Sequence, residues 1–328
     1  MLKHRLISAA ILLTLVGLVC FWPSPHAGVV LTVAAAALVG LCFREFFQLT
    51  RAMGYPGYPV LVTVAGVLLI VAVGAFGVAA VNPDVAWGEW CSRGRLPAVE
   101  ALLLGVVLVG GIGLTLLATD LRVGILNLLV SLGGYLYLAW AGSCLLRIYF
   151  VMPANPTLSK VLDAVTLGTG GDHGRLGPTL FLFVVLVTKC GDIGGYVVGS
   201  LTARRAGGNH QLIPKISPKK SWEGLGGGLA LSVIAAVVIM LIAGHDLTIR
   251  GPTGAARTLL SVPLAIIFGV VAMFVGLAGD LVESVLKRAA EVKDASAIVP
   301  GMGGVLDVVD SLLPVAPLFY VYLSLMSS

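Results

Sequence analysis

The sequence predicts an all-α fold, a polytopic membrane helical bundle with about nine transmembrane helices. Two observations carry that expectation. Of 328 residues, 58% are hydrophobic and 11% charged, against about 25% charged in an ordinary soluble domain. The chain also divides into apolar runs near the length of about 20 residues that a bilayer-crossing helix needs. Such a chain buries a core easily but has too few charges to coat a water-facing surface, so lipid is its expected solvent.

The runs lie at 6–23, 28–43, 59–81, 98–119, 124–149, 177–200, 224–244, 258–283 and 305–326. The first follows a basic start, Met1-Leu-Lys-His-Arg5, like that of a signal peptide. No good small-x-small cleavage site precedes Pro23-Ser-Pro25, so it is expected to remain as an anchor. The second run is short. The fifth has length for a span plus a re-entrant piece, and the helical pattern of the eighth continues through Lys287.

An odd number of spans puts the termini on opposite sides. With the N-terminus inside, the inner loops collect Lys3, Arg5, Arg44, Arg51, Arg122, Arg204, Arg205, Lys215, Lys219, Lys220, Lys287, Arg288 and Lys293. The outer loops collect fewer bases: Arg93, Arg95, Arg147, Lys160, Arg175, Arg250 and Arg257. The positive-inside rule favours this orientation. It makes the loop 201–222 and the segment 284–310 cytoplasmic, in a multi-pass protein of the cell (inner) membrane.

The halves differ in character. Apart from Glu100, the first five spans are nearly free of acids, and the unusual polar residues begin at the sixth. Residues 1–150 therefore read as transmembrane scaffold, and 177–328 as a catalytic region with cytoplasmic loops. Cys20, Cys42, Cys91, Cys144 and Cys190 form no CxxC pair and no Cys/His cluster, which argues against zinc and disulfide frameworks. No basic stripe interleaved with aromatics points to nucleic acid.

Lys189 and Asp192 stand three apart inside the sixth run and share a helix face. Ions cost at least about 2.5–3.5 kcal/mol within a span, so the pair suggests mutual neutralisation or a water-facing site. Pro214-Lys-Ile-Ser-Pro-Lys-Lys-Ser-Trp-Glu-Gly224 follows. Its lysines, Ser217, Ser221 and backbone amides suit an anionic phosphate at the membrane edge, although lysines there also serve as a topology signal. Helical spacing then aligns Asp280, Ser284, Lys287 and Glu291 in one stripe. Pro300-Gly-Met-Gly-Gly304 offers glycine amides for an anion, and Asp307 and Asp310 stand three apart after it. Carboxylates, lysines and hydroxyls without His/Cys ligands select a Mg²⁺-like cation and a phosphate-bearing substrate.

The stretch Ser284-Val-Leu-Lys-Arg288, Lys293-Asp294, Gly303-Gly304, Asp307 and Asp310 resembles the phosphatidate cytidylyltransferases, or CDP-diacylglycerol synthases. Their pattern runs S-x-apolar-K-R, then K-D, then H-G-G, then D-R-x-D. PKISPKKSWEG and KCGDIGGYVVG resemble family blocks too. Met302 stands where the family has histidine, and Val308 where it has arginine. Those two changes bear on the rate or the exact substrate.

The resemblance implies that CTP and phosphatidic acid give CDP-diacylglycerol and pyrophosphate at the membrane lipid. It implies Asp280 and Asp307 as Mg²⁺ ligands, with a second cation bridging nucleotide and lipid phosphates as a further expectation. Ser284 and Lys287 join those acids as catalytic groups. Ser217, Lys219, Lys220, Lys293, Asp192, Gly303, Gly304 and Asp310 are the expected substrate-binding residues. A homodimer is implied by resemblance alone. A CTP-dependent kinase of membrane lipid alcohols, a cation-coupled membrane transporter and a paralogue that binds phosphatidate without turnover are the competing readings.

Overall fold

The computed structural model describes residues 14, 16–19, 26–81, 91, 95–154, 176–204, 208–243, 247–250, 256–299 and 303–327. Most of the expected first span, and Met302, lie outside the described residues.

Among the described residues the chain is mainly helical, with two small hairpins. Helix α1 is Ala27–Ala52, α2 Pro59–Val81 and α3 Leu96–Leu116. Helices α4, Leu121–Gly134, and α5, Ala141–Ala154, are joined without a break by a π-helical stretch, Tyr135–Trp140. Then come α6, Leu176–Thr202, and a hairpin of β1, Gln211–Ile213, with β2, Ser217–Ser221. Helix α7, Trp222–Ile242, leads to a second hairpin of β3, Leu247–Arg250, and β4, Ala256–Leu260. The chain closes with α8, Val262–Ala289, short α9, Leu306–Val309, and α10, Leu312–Ser327.

Among the described residues, seven helical stretches are long and apolar enough to cross a membrane, with α4 to α5 counted as one. The expected count of about nine is therefore not reached there. The fifth run is one continuous helical stretch. The eighth starts late because Ala256–Leu260 pairs with β3. The ninth breaks at Asp310 and Ser311, where the Ser311 amide donates to the Asp310 carboxylate (2.6 Å) in place of a helical carbonyl.

The chain forms two compact units: Met1–Val151 with Leu286–Val309, and Met152–Val285 with Asp310–Ser328. In the first, Phe43 and Phe47 stack along α1 with ring centroids 6.1 Å apart, and Phe46 meets Phe47 edge to face at 5.3 Å. The α1–α2 turn needs left-handed backbone at Gly54 and Gly57, with φ of 87° and 61°. It is tied to α4 by the Tyr58 amide donating to Ser131 Oγ (2.8 Å). Arg147 and Glu100 form an ion pair that joins α5 to α3.

In the second unit, Phe183, Phe268 and Phe319 pack together with centroids 4.5–5.8 Å apart. The α6–α7 seam is a glycine seam, which lets two backbones touch. A Cβ on Gly194 would sit 2.6 Å from the Gly227 carbonyl oxygen, and one on Gly228 would sit 2.8 Å from that of Gly191. Ser232 Oγ bridges across, donating to the Gly269 carbonyl (2.9 Å) and lying 3.2 Å from that of Val187. Gly194→Ala should therefore lower stability by about 1–3 kcal/mol, the usual range for overpacking. Thermal denaturation in detergent reads this, and an unchanged midpoint would show that the seam tolerates a methyl group.

Candidate active site

Within the second unit, the polar residues of α6, β2, α8 and the turn before α10 converge. Along β2, Lys219 is exposed and Lys220 turns inward. Lys220 Nζ lies 2.9 Å from Asp280 Oδ2. Ser284, one helical turn on from Asp280, donates to its Oδ1 (3.3 Å). Asp280, Glu283 and Asp310 each bring a carboxylate oxygen within 4.8 Å of the others. Glu283 is fully buried, and Asp310 nearly so. Gly279 makes room for this approach, because a Cβ there would meet Pro314 Cγ at 2.7 Å.

Beside this cluster, Lys189 Nζ donates to Asp192 Oδ2 (2.8 Å) and to Ser311 Oγ (2.7 Å). Ser311 Oγ also donates to Asp192 Oδ2 (2.7 Å). Burial is the main cause pushing the Asp310 carboxyl above the usual range. Lys189 pulls it down, and the Asp280 and Asp192 carboxylates push it up. Ser221 caps α7 by accepting the Gly224 amide (3.0 Å), and Asn209 fixes that hydroxyl from the other side (3.2 Å). Ser217 is half-buried at the start of β2.

Within the first unit, Asp307 organises the glycine-bearing segment. Its Oδ1 accepts Lys287 Nζ (2.5 Å), and its Oδ2 accepts the amides of Ala295 (3.1 Å) and Gly304 (2.7 Å). Gly303 needs a φ of 102° and closes a small bridge with Val299. The Gly304 amide is thus directed at Asp307. Lys293 is exposed and Val308 half-buried.

The expected stripe ends earlier than the spacing suggests. Helix α8 stops at Ala289, and Glu291 takes a φ of 58°. The Val292 amide then bonds back to the Lys287 carbonyl (2.9 Å) and the Glu291 amide to that of Arg288 (3.1 Å), a Schellman ending. Glu291 therefore leaves the helix face that carries Asp280, Ser284 and Lys287.

Of the expected site residues, the second unit gathers Asp280, Ser284, Lys220 and Asp310, with Asp192 paired alongside. The first unit gathers Lys287, Asp307, Gly303 and Gly304. Asp280 and Asp307 belong to different units. Three participants escaped sequence reasoning. Glu283 was hidden by its place in a helical apolar run, although it lies three residues from Asp280. Ser311 sits in what reads as continuous helix. Glu45 lies just past the expected end of the second run. It is fully buried and accepts from Ser296 Oγ (2.5 Å) and from the Val305 (3.0 Å) and Leu306 (2.7 Å) amides.

A family model described as the cytidylyltransferase family matches residues 3–326. The chain is 38% identical over 144 residues to the phosphatidate cytidylyltransferase of Haemophilus influenzae, covering 44% of this chain and 45% of the relative. It is 36% identical over 153 residues to the phosphatidate cytidylyltransferase of Bacillus subtilis, covering 47% and 50%. It is also 35% identical over 147 residues to the Escherichia coli uncharacterized protein YnbB, covering 45% and 43%. The chain spans about half the length of the curated relatives it matches. With a family match that runs nearly end to end over helices carrying this clustered set of acids and lysines, the chain belongs to the cytidylyltransferase family.

Proposed function

We propose that this protein is a phosphatidate cytidylyltransferase, converting CTP and phosphatidate into CDP-diacylglycerol and pyrophosphate for phospholipid synthesis. The observation that carries the reading is the meeting of Asp280, Glu283 and Asp310 beside Lys220 and Ser284. Such an all-oxygen donor set fits a hard divalent cation, which is bound by a few carboxylates and substrate phosphates. Asp280, Glu283 and Asp310 would hold Mg²⁺. Asp307 is also proposed as a ligand, and binding there would require its Oδ1 to exchange the Lys287 ammonium for the ion. When bound, the ion would neutralise phosphate charge as the transition state forms. Whether one or two cations bind is part of what metal titration measures.

The transfer is a displacement at phosphorus. An oxygen of the phosphatidate phosphate forms a bond to the α-phosphorus of CTP, and the bond from that phosphorus to the bridging oxygen of the β-phosphate breaks. Pyrophosphate leaves with the electron pair. Such reactions call for positioning and charge neutralisation more than for a covalent nucleophile. Lys219, Lys220, Lys287 and Lys293 would neutralise phosphate, while Ser217 and Ser284 would donate hydroxyl hydrogen bonds. Lys189 and Ser311 would hold Asp192 in place. In the same reading the site faces the cytoplasm from the inner membrane, the acyl chains stay in lipid, and the protein works as a homodimer.

Purified protein in detergent, given CTP, phosphatidate and Mg²⁺, should release pyrophosphate and CDP-lipid in equal amounts. Release of CDP with a phosphorylated lipid would replace this reading with that of a lipid-alcohol kinase. Ion flux in liposomes without any nucleotide turnover would replace it with that of a transporter.

A further inference from the structure

A fully buried acid in α1 holds the segment that carries Asp307. Glu45 lies fully buried in the last third of a mainly apolar helix, where an ionisable group is costly unless it is fully partnered. Its partners all come from one place. Oε1 accepts from Ser296 Oγ (2.5 Å) and the Val305 amide (3.0 Å), and Oε2 accepts from the Leu306 amide (2.7 Å). Gly304 lies against the same carboxylate, and a Cβ there would sit 2.6 Å from Glu45 Oε2. These donors bracket the contacts of Asp307, whose Oδ2 takes the amides of Ala295 and Gly304. Ser296 and Val305 thus each adjoin an amide donor to Asp307, and Leu306 adjoins Asp307 itself.

We propose that Glu45 is a positioning residue: its carboxylate fixes both arms of the 295–307 segment, and so sets the Asp307 side chain against Lys287. Both oxygens must accept, and the side chain must be of glutamate length. Glutamine has the same shape but would turn an NH₂ toward another donor, either the Leu306 N–H or the Val305 N–H and Ser296 O–H. The segment would lose its hold although the cavity stays filled. Gly304→Ala reaches the same end from the other side, by displacing the carboxylate.

The catalytic part of this inference rests on the proposed cytidylyl transfer, and the holding part does not. Two measurements on the full-length protein in detergent therefore test it together. Hydrogen exchange read by mass spectrometry should show that Glu45→Gln speeds exchange in peptides covering 303–308 by at least about tenfold, with α7 unchanged. CDP-lipid formation should fall by about tenfold to a hundredfold in kcat, the scale of a misplaced reacting group. Added to Asp307→Asn, Glu45→Gln should cause little further loss, because both act through one side chain. A general packing role would make the two losses multiply. Unchanged exchange at 303–308, or multiplying losses, overturns the inference. A wild-type protein that makes no CDP-lipid removes the proposed reaction instead, and the exchange result still decides whether Glu45 holds the segment.

Discussion

Asp280→Asn should reduce CDP-lipid formation by about 10²–10³-fold while the protein still inserts and folds. Asp280 is the residue on which the second unit's contacts converge: Lys220 on one oxygen, Ser284 on the other, with Glu283 and Asp310 within ligand distance. Asparagine fills the same volume but removes a charge and converts one acceptor into a donor. Lys220 then faces an amide, and a divalent ion loses a third of the carboxylate set. Titration of Mg²⁺ against activity should show a higher requirement in the variant, and calorimetry with Mg²⁺ alone should show weaker binding. Wild-type turnover with an unchanged Mg²⁺ requirement would remove Asp280 from the site.

Lys189→Met should cost more stability than any exposed ion pair, which typically contributes up to about 1 kcal/mol. Lys189 is the cation between Asp192 and Ser311, and it ties α6 to α10. Its loss leaves Asp192 facing a hydroxyl, with the Asp310 and Asp280 carboxylates nearby and only the Lys220 ammonium, on Asp280, to offset them. A fully buried pair broken on one side costs about 3–5 kcal/mol. The Asp192 side chain is 37% exposed, so water recovers part of that and the expected loss falls between the two limits. Lys189→Arg keeps the charge and should lose less. Thermal midpoints in detergent measure both, and a Met variant that melts with the wild type would show that the pair holds nothing.

Helix type and most helix placement are legible in this sequence because the lipid requirement is blunt. A run of apolar residues has few ways to satisfy its backbone other than as a helix. The small hairpins were not legible. Residues 211–221 carry prolines and lysines that read as a loop, yet Gln211–Ile213 pairs with Ser217–Ser221. The break at Asp310 was hidden because Leu312 onward is as apolar as any span.

Site residues were legible where several chemical groups recur at fixed spacing, as from Ser284 to Asp310. They were not legible where one group acts at long range. Glu283 looks like the polar neighbour of Asp280 that an amphipathic helix end would carry anyway. Glu45, next to Arg44, looks like an ordinary charged residue near the end of a span. Nothing local distinguishes it, because its partners come from the far end of the chain.

That distance has a consequence for how the protein is made. The Val305 amide lies 260 positions beyond Glu45. At about 5–20 residues per second, α1 waits roughly 13–50 s after its own synthesis before that partner leaves the ribosome. Through that interval a carboxyl group meant for full burial must be tolerated by the translocon, by water at the membrane edge or by a temporary partner. The newborn α1 thus carries an acid whose partners are missing, and chains that stop short of residue 305 keep it so. Quality control that recognises unsatisfied acids in a membrane would find such fragments by Glu45.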